Sequence, residues 1–222
     1  MFVLLIFLNF ADSLYKWGEF RKAVLEYKRL LFLRKIDNSY AYYQIAKCYE
    51  NLEEFKKALV YYQKYMAEKN DIALIPKYAF LYFLTGEYEK AEYLLETSPT
   101  RKSKALLAFL YLKEGKTGKA ERILKHLNLE YHSAGIWTIP SYLIPGMTQI
   151  LHGEFKKGIL SFILTMFSGY MVFNEFKSKN YLSGIILFDV LFIRFYTGNI
   201  YNAKRSVANY NLKKLKKKYE IP

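Results

Sequence analysis

GEFKKGILSFIL, Gly153 to Leu164, opens like a helix that the chain has already written three times. GEFRKAVLEY starts at Gly18, EEFKKALVYY at Glu53 and GEYEKAEYLL at Gly86. In the later stretch the alanine has become Gly158, and a long apolar run follows. Read as a further copy, it predicts a water-soluble array of helices. Read as a different device, it predicts a chain that enters a membrane.

The earlier copies define a period. Phe20, Phe55, Tyr88 and Thr117 align, with Ala23, Ala58, Ala91 and Ala120 three residues later and Tyr27, Tyr62, Leu95 and Leu124 four further on. Before each aligned position stand Ala11, Ala46, Ala79 or Ala108, and then Leu14, Tyr49, Tyr82 or Tyr111. Small residues at such positions let two helices joined by a tight turn approach closely, and the aromatics fill the gaps between pairs. The pattern resembles the tetratricopeptide repeat, most clearly at residues 40–67 and 73–98. The resemblance implies an all-α fold in which a short solenoid occupies residues 11–127, with three to four repeats. Pro76 should make one helix begin late or kink.

Such a solenoid would line a concave face with the first helix of each repeat. On this register the face carries Tyr43, Lys47, Phe80, Phe83, Phe109, Leu112 and Lys113. An aromatic groove edged by lysine suits an extended protein or peptide partner with apolar anchors and acidic residues, or a second copy in a homo-oligomer. The alternative is that the array packs this face against the rest of the chain.

After Leu127 the pattern changes. Residues 128–157 hold Trp137, Pro140, Pro145 and unevenly spaced glycines, which predicts an irregular connector. Two apolar runs follow across residues 158–196, Gly158 to Phe173 and Tyr181 to Tyr196, joined by NEFKSKN. Each run makes a helix of about 24 Å against a hydrocarbon core of about 30 Å, a mismatch that thinning and interfacial Tyr and Lys can absorb. Gly158, Ser161, Thr165 and Ser168 form one small, weakly polar stripe of the kind that lets membrane helices pack. Asp189, near the middle of the second run, comes level with Thr165 in a hairpin, and a hydrogen bond between them is expected. The alternative is a pair of helices buried in a soluble domain.

PGMTQILHGEFKKG adds a second resemblance, to the Pro-Gly-x-Gly-Gln…Gly…Gly entrance of small bacterial membrane hairpins. Pro145, Gly146, Gln149, Gly153 and Gly158 match it, and Thr148 departs from it. On this reading the opening stretch is the entrance to a two-helix transmembrane hairpin and not a fifth repeat. The tail, residues 197–222, ends in NLKKLKKKYEIP, where Leu212, Leu215 and Tyr219 share a face among lysines. It is expected to rest on anionic lipid head groups.

Composition bounds the function. The formal charge of +14 favours anionic neighbours, and 52% apolar residues exclude wholesale disorder. No nucleic-acid module is recognisable, so nucleic acid is disfavoured as a partner and a soluble RNA-binding solenoid ranks third. Cys48 is the only cysteine, and His126, His132 and His152 lack zinc spacing. No Walker loop, dinucleotide fingerprint or nucleophile elbow occurs. The sequence assigns no catalytic residue, metal or cofactor, and the chain is read as a non-enzymatic scaffold. The rival is a membrane enzyme or small transporter centred on Asp189 and Arg194.

Residues 1–10 read as a signal or as the first repeat helix. The apolar positions 2–10 suit a signal core but lack a basic flank and a good cleavage site. The resembling proteins are exported, which places the repeats outside the cytoplasm of a bacterial cell. Lys156, Lys157 and the lysine-rich tail argue for the reverse topology.

Overall fold

The computed structural model describes residues 10–221, and every regular element among them is helical. Residues 1–9, on which most of the expected signal falls, lie outside the described residues. The chain divides at Leu106/Leu107 into two units. In the first, α1 (residues 10–16) is followed by α2 (Phe20–Phe32), α3 (Asn38–Asn51), α4 (Phe55–Lys69), α5 (Ile75–Leu84) and α6 (Tyr88–Thr97). The division falls within α7 (Arg101–Lys113). The second unit continues with α8 (Thr117–His126), the short α9 (Ala134–Trp137), α10 (Ile139–Leu143) and α11 (Met147–Leu151), then α12 (Phe155–Lys177), α13 (Tyr181–Leu187) and α14 (Ile193–Tyr219).

The alanine pattern has the physical meaning the period demands. Ala11, Ala23, Ala46, Ala58, Ala79, Ala91, Ala108 and Ala120 are all fully buried. In the first unit α2, α3, α4, α5 and α6 each pack on the next. The spaces between them are filled by Tyr27, Leu30, Ile45, Tyr62, Leu81 and Leu95. Buried tyrosines bring hydroxyls that need partners. Asp12 accepts from Tyr27 and from Tyr40, the latter at 2.9 Å, and Glu50 accepts from Tyr62 at 2.8 Å. Burial and the Asp12 carboxylate push Tyr40 up to about 12 and hold Tyr27 higher still. Pro76 sits in the first turn of α5 behind a short 3₁₀ turn, Ile72–Leu74, where its missing N–H costs nothing.

One turn recurs through both units. Gly18, Glu53, Gly86 and Gly115 are left-handed, and the residue after each has φ between −77° and −87° and ψ between 55° and 61°. Gly153 and Glu154 repeat this geometry with φ +80° and then φ −95°, ψ 54°. Lys179 and Asn180 repeat it again. The closing bond is also shared: Glu19 N–H donates to Leu14 O at 2.9 Å, and Glu154 N–H to Gln149 O at 2.8 Å. The opening stretch was set apart from the repeats by its composition, but its turn is the same turn. Gly146 and Gly158 stand where the earlier copies carry their two alanines, and Gln149 stands where they carry Leu or Tyr.

Two boundaries are corrected. The second apolar run and the tail are one helix, because Tyr181–Tyr219 continues through the π-helical turn Phe188–Phe192. The tail's apolar face is not free for lipid: Leu212 and Leu215 are buried within the second unit. Lys214 pairs there with Glu130 at 2.8 Å, leaving Lys213, Lys217 and Lys218 exposed. The first run is also longer than its apolar core, since α12 has 23 residues and spans about 35 Å.

In the hairpin of the second unit the usual distribution is inverted. α12 and the Tyr181–Tyr219 helix are long and apolar enough to cross a membrane. Their large apolar side chains are exposed, Phe167 by 60% and Leu182 by 76%, whereas Gly158, Thr165, Ser168 and Asn199 are buried. A core helix of a soluble protein does the opposite.

Candidate functional site

The hairpin entrance holds a buried polar cluster in the second unit. α11 packs on α12 and α14, and α10 on α14. The contact is closest at two glycines. A Cβ on Gly158 would lie 2.6 Å from Ile150 Cγ1 and 2.7 Å from Gly146 O, and one on Gly146 would strike the Gly158 backbone. Around this crossing, Gly146 N–H donates to Asn199 Oδ1 at 2.7 Å and Asn199 Nδ2 donates to Ser141 O at 2.9 Å. Ser141 Oγ donates to Gln149 Oε1 at 3.0 Å and accepts from Thr148 N–H at 2.9 Å. Gln149 Nε2 donates to Asn199 O at 3.2 Å. Pro145, Gly146 and Gln149 are thus brought together and buried, while Gly153 forms the exposed turn. Asn199 was not singled out by sequence reasoning. Its only local sign is its place just past the end of an apolar run.

The small stripe of α12 faces inward, with Gly158, Thr165 and Ser168 buried and Ser161 partly so. Gly169 lies beneath the Phe192 ring, and Gly184 beneath that of Phe176. The expected Asp189–Thr165 bond is absent. Thr165 Oγ1 donates to Ser161 O at 2.8 Å, and Asp189 is exposed on the π turn. That turn breaks the regular 3.6-residue rotation, so level with Thr165 does not mean facing it. Arg194 is also exposed, and no hydrogen bond or ion pair joins either side chain to another described residue.

The anticipated groove is only partly open. In the first unit, Tyr43 packs its ring against Tyr62 and Tyr65, and Lys47 Nζ lies 4.7 Å from the Tyr15 ring centre. Phe80 and Phe83 stack on each other and stay partly exposed. In the second unit, Phe109 and Leu112 are buried and Lys216 reaches over the Phe109 ring. These two are core residues of their unit and not groove residues. Lys113 is exposed beside the same ring.

A histidine pair was not foreseen. The His132 ring lies between Trp137, 3.9 Å away, and Tyr210, 4.0 Å away. Its Nδ1 is 2.9 Å from His152 Nε2, and His152 Nδ1 is 2.8 Å from Thr148 O. A carbonyl only accepts, so His152 carries its proton on Nδ1 and His132 donates to its Nε2. Asn211 grips the His132 backbone from both sides, at 2.9 and 2.8 Å. Burial, His152 and Lys214 hold His132 below the ordinary imidazole value. No cluster of three or more His, Cys, Asp or Glu suited to a metal occurs among the described residues. The pair fastens the connector to α14. Cys48 is buried, which pushes its thiol up to about 12 and makes it a packing residue.

No protein-family model matches the chain, and no curated protein matches it.

Proposed function

We propose that this chain is a membrane-anchored scaffold. A tetratricopeptide-type array would bind a protein or peptide partner at a bacterial cell envelope, and the hairpin α12 to α14 would hold it there. One observation carries the membrane half of this reading: two long helices present their large apolar side chains outward and Gly158, Thr165, Ser168 and Gly184 inward. Lipid is the solvent in which that arrangement is stable. The recognition half rests on the evenly repeated turns and buried alanines of the first unit, together with the partly exposed Tyr43, Lys47, Phe80 and Phe83. The repeats are placed outside the cytoplasm, following the signal-like residues 2–10.

Membrane fractionation with carbonate extraction tests this reading. The protein should stay in the pellet and enter solution only with detergent. Single cysteines at Tyr93 and Ser178, in a Cys48→Ala background, then report the side on which the repeats lie. Release of intact protein by carbonate would sink the anchor. Labelling of Tyr93→Cys only after the inner membrane is permeabilised would reverse the topology.

The π turn at Asp189 favours a second reading, since such turns recur at functional sites. A membrane enzyme or transporter centred there requires Asp189→Asn to abolish activity with folding and partner binding intact. The scaffold reading requires that variant to keep partner capture.

A further inference from the structure

The connector within the second unit, between α8 and α12, has an unusual distribution of side chains. From Ser133 to Gly153 there is no Asp, Glu, Lys or Arg, in a chain with 24% charged residues. The side chains this stretch exposes are apolar: Ile136, Ile139, Leu143, Ile144 and Leu151, with Leu143 exposed by 80%. Those it buries, apart from Ala134 and Pro145, are polar: Thr138, Ser141, Thr148 and Gln149. A surface loop in water has the opposite distribution.

Its backbone is treated in the same way. Three helices of five residues or fewer leave many N–H and C=O groups without helical partners. In hydrocarbon each such group must be satisfied from within the protein. Here side chains from inside do so. Asn199 serves Gly146 N–H and Ser141 O, Ser141 Oγ serves Thr148 N–H, and Thr148 Oγ1 donates to Trp137 O at 2.9 Å. Tyr196 OH donates to Tyr142 O at 3.0 Å. Pro140 and Pro145 remove two donors outright. A loop bathed in water would need none of this.

We infer that α9, α10 and α11 form a third membrane element, inserted into the acyl region of one leaflet beside the base of the hairpin. This rests on the membrane reading of α12 to α14. The occupant of the exposed face is lipid hydrocarbon, because that face is continuous with the apolar surface of the hairpin. Gly146 meets Gly158, where the first apolar run starts, and Tyr142 meets Tyr196, where the second ends. The connector therefore lies at the level where the hairpin enters the bilayer, and it inserts shallowly, about 5–10 Å, as interfacial helices do.

The test uses the full chain in phospholipid vesicles, in a Cys48→Ala background, with a nitroxide at Leu143→Cys. Phe167→Cys reports mid-hairpin and Tyr93→Cys reports the first unit. Collisions with oxygen, which concentrates in lipid, are compared with those of a water-soluble nickel chelate. The Leu143 label should collide with oxygen and lose collisions with nickel relative to Tyr93, at a depth shallower than Phe167. Nickel exposure at Leu143 with Phe167 shielded would overturn the inference and leave the hairpin standing. Nickel exposure at all three would overturn the membrane reading itself. Shielding of Leu143 from both reagents would mean that protein covers the face, which also overturns the inference. Leu151→Cys repeats the measurement if the Leu143 label perturbs folding.

Discussion

The first unit and the hairpin with its entrance in the second bury opposite things. The first encloses Tyr27, Leu30, Ile45 and Tyr62 and shows mostly lysine and glutamate, with separate apolar side chains such as Phe32 among them. The hairpin and its entrance enclose Gln149, Asn199, Ser141 and Thr165 and show Phe167, Leu182 and Leu143, while the rest of the second unit keeps an ordinary apolar core around Phe109, Leu124 and Leu215. Yet the turn that joins their helices is the same, down to the bond that closes it. A helix–turn–helix unit does not choose its solvent. The side chains at its two close-contact positions and on its outer face do. Burial of apolar surface is favourable only when the alternative is water; in lipid, helices gain by close packing of small residues and by keeping polar groups together.

The largest expected effect sets the two units against each other. Leu30 is fully buried, so Leu30→Ala should cost about 2–5 kcal/mol through lost transfer energy and a cavity. Phe167 is larger but exposed, and Phe167→Ala should stay within about 0.5 kcal/mol. Thermal unfolding of the detergent-solubilised protein reads both. A large loss for Phe167→Ala would mean that protein and not lipid covers that side chain, and the contrast between the units would fail.

A smaller effect sharpens the role of the shared turn. Gly153 and Gly158 belong to the same copy but are glycine for different reasons. A Cβ on Gly153 meets nothing within 4 Å, and only its φ of +80° resists substitution, so Gly153→Ala should cost about 1 kcal/mol. Gly158 has ordinary helical geometry but no room, with Ile150 and the Gly146 backbone in the way. Gly158→Ala should therefore cost more, about 1–3 kcal/mol, and loosen α11 from α12. Equal melting temperatures for the two variants would show that the Gly146–Gly158 crossing relaxes freely.

What the sequence made legible follows from this. Alanines that recur at matching places in each copy imply close helix contact wherever the solvent is, and all eight are buried. The glycines of the entrance were legible as a motif but not as a copy of the earlier unit, because Ala-to-Gly and Tyr-to-Gln changes hide the alignment while leaving the backbone intact. Hydropathy gave the length and apolarity of the hairpin but not its faces. A π turn rotates Asp189 outward, and no property of its neighbours in sequence announces it. Phe109 and Leu112 were misplaced for a related reason. Whether an aromatic on a helix faces a groove or a core depends on what packs over it, here including Lys216 of a tail distant in sequence. The His132–His152 pair and the Asn199 contacts also join distant positions, which local spacing does not encode.

The smallest effect concerns how the start of α12 is held. Glu154 accepts from Ser206 at 2.6 Å, Asn209 at 3.1 Å and Lys157 at 3.2 Å, so it ties α12 to α14 just before the apolar run begins. Burial alone would raise its pKa, but the hydrogen bonds from Ser206, Asn209 and Lys157 outweigh it and hold the carboxyl below its ordinary value. A depressed carboxylate adds stability that is complete above the unfolded value, about 4.3, and is lost as pH falls through the folded one. The wild type should thus melt higher than Glu154→Gln at neutral pH, and the gap should close in the acidic range. A loss of melting temperature shared by both proteins as pH falls from about 6.5 reports His132 instead. Its lowered pKa likewise adds stability that is lost as pH drops, but in the imidazole window. Where that shared loss is the larger of the two, the histidine pair and not Glu154 is the chief fastening between the connector and α14.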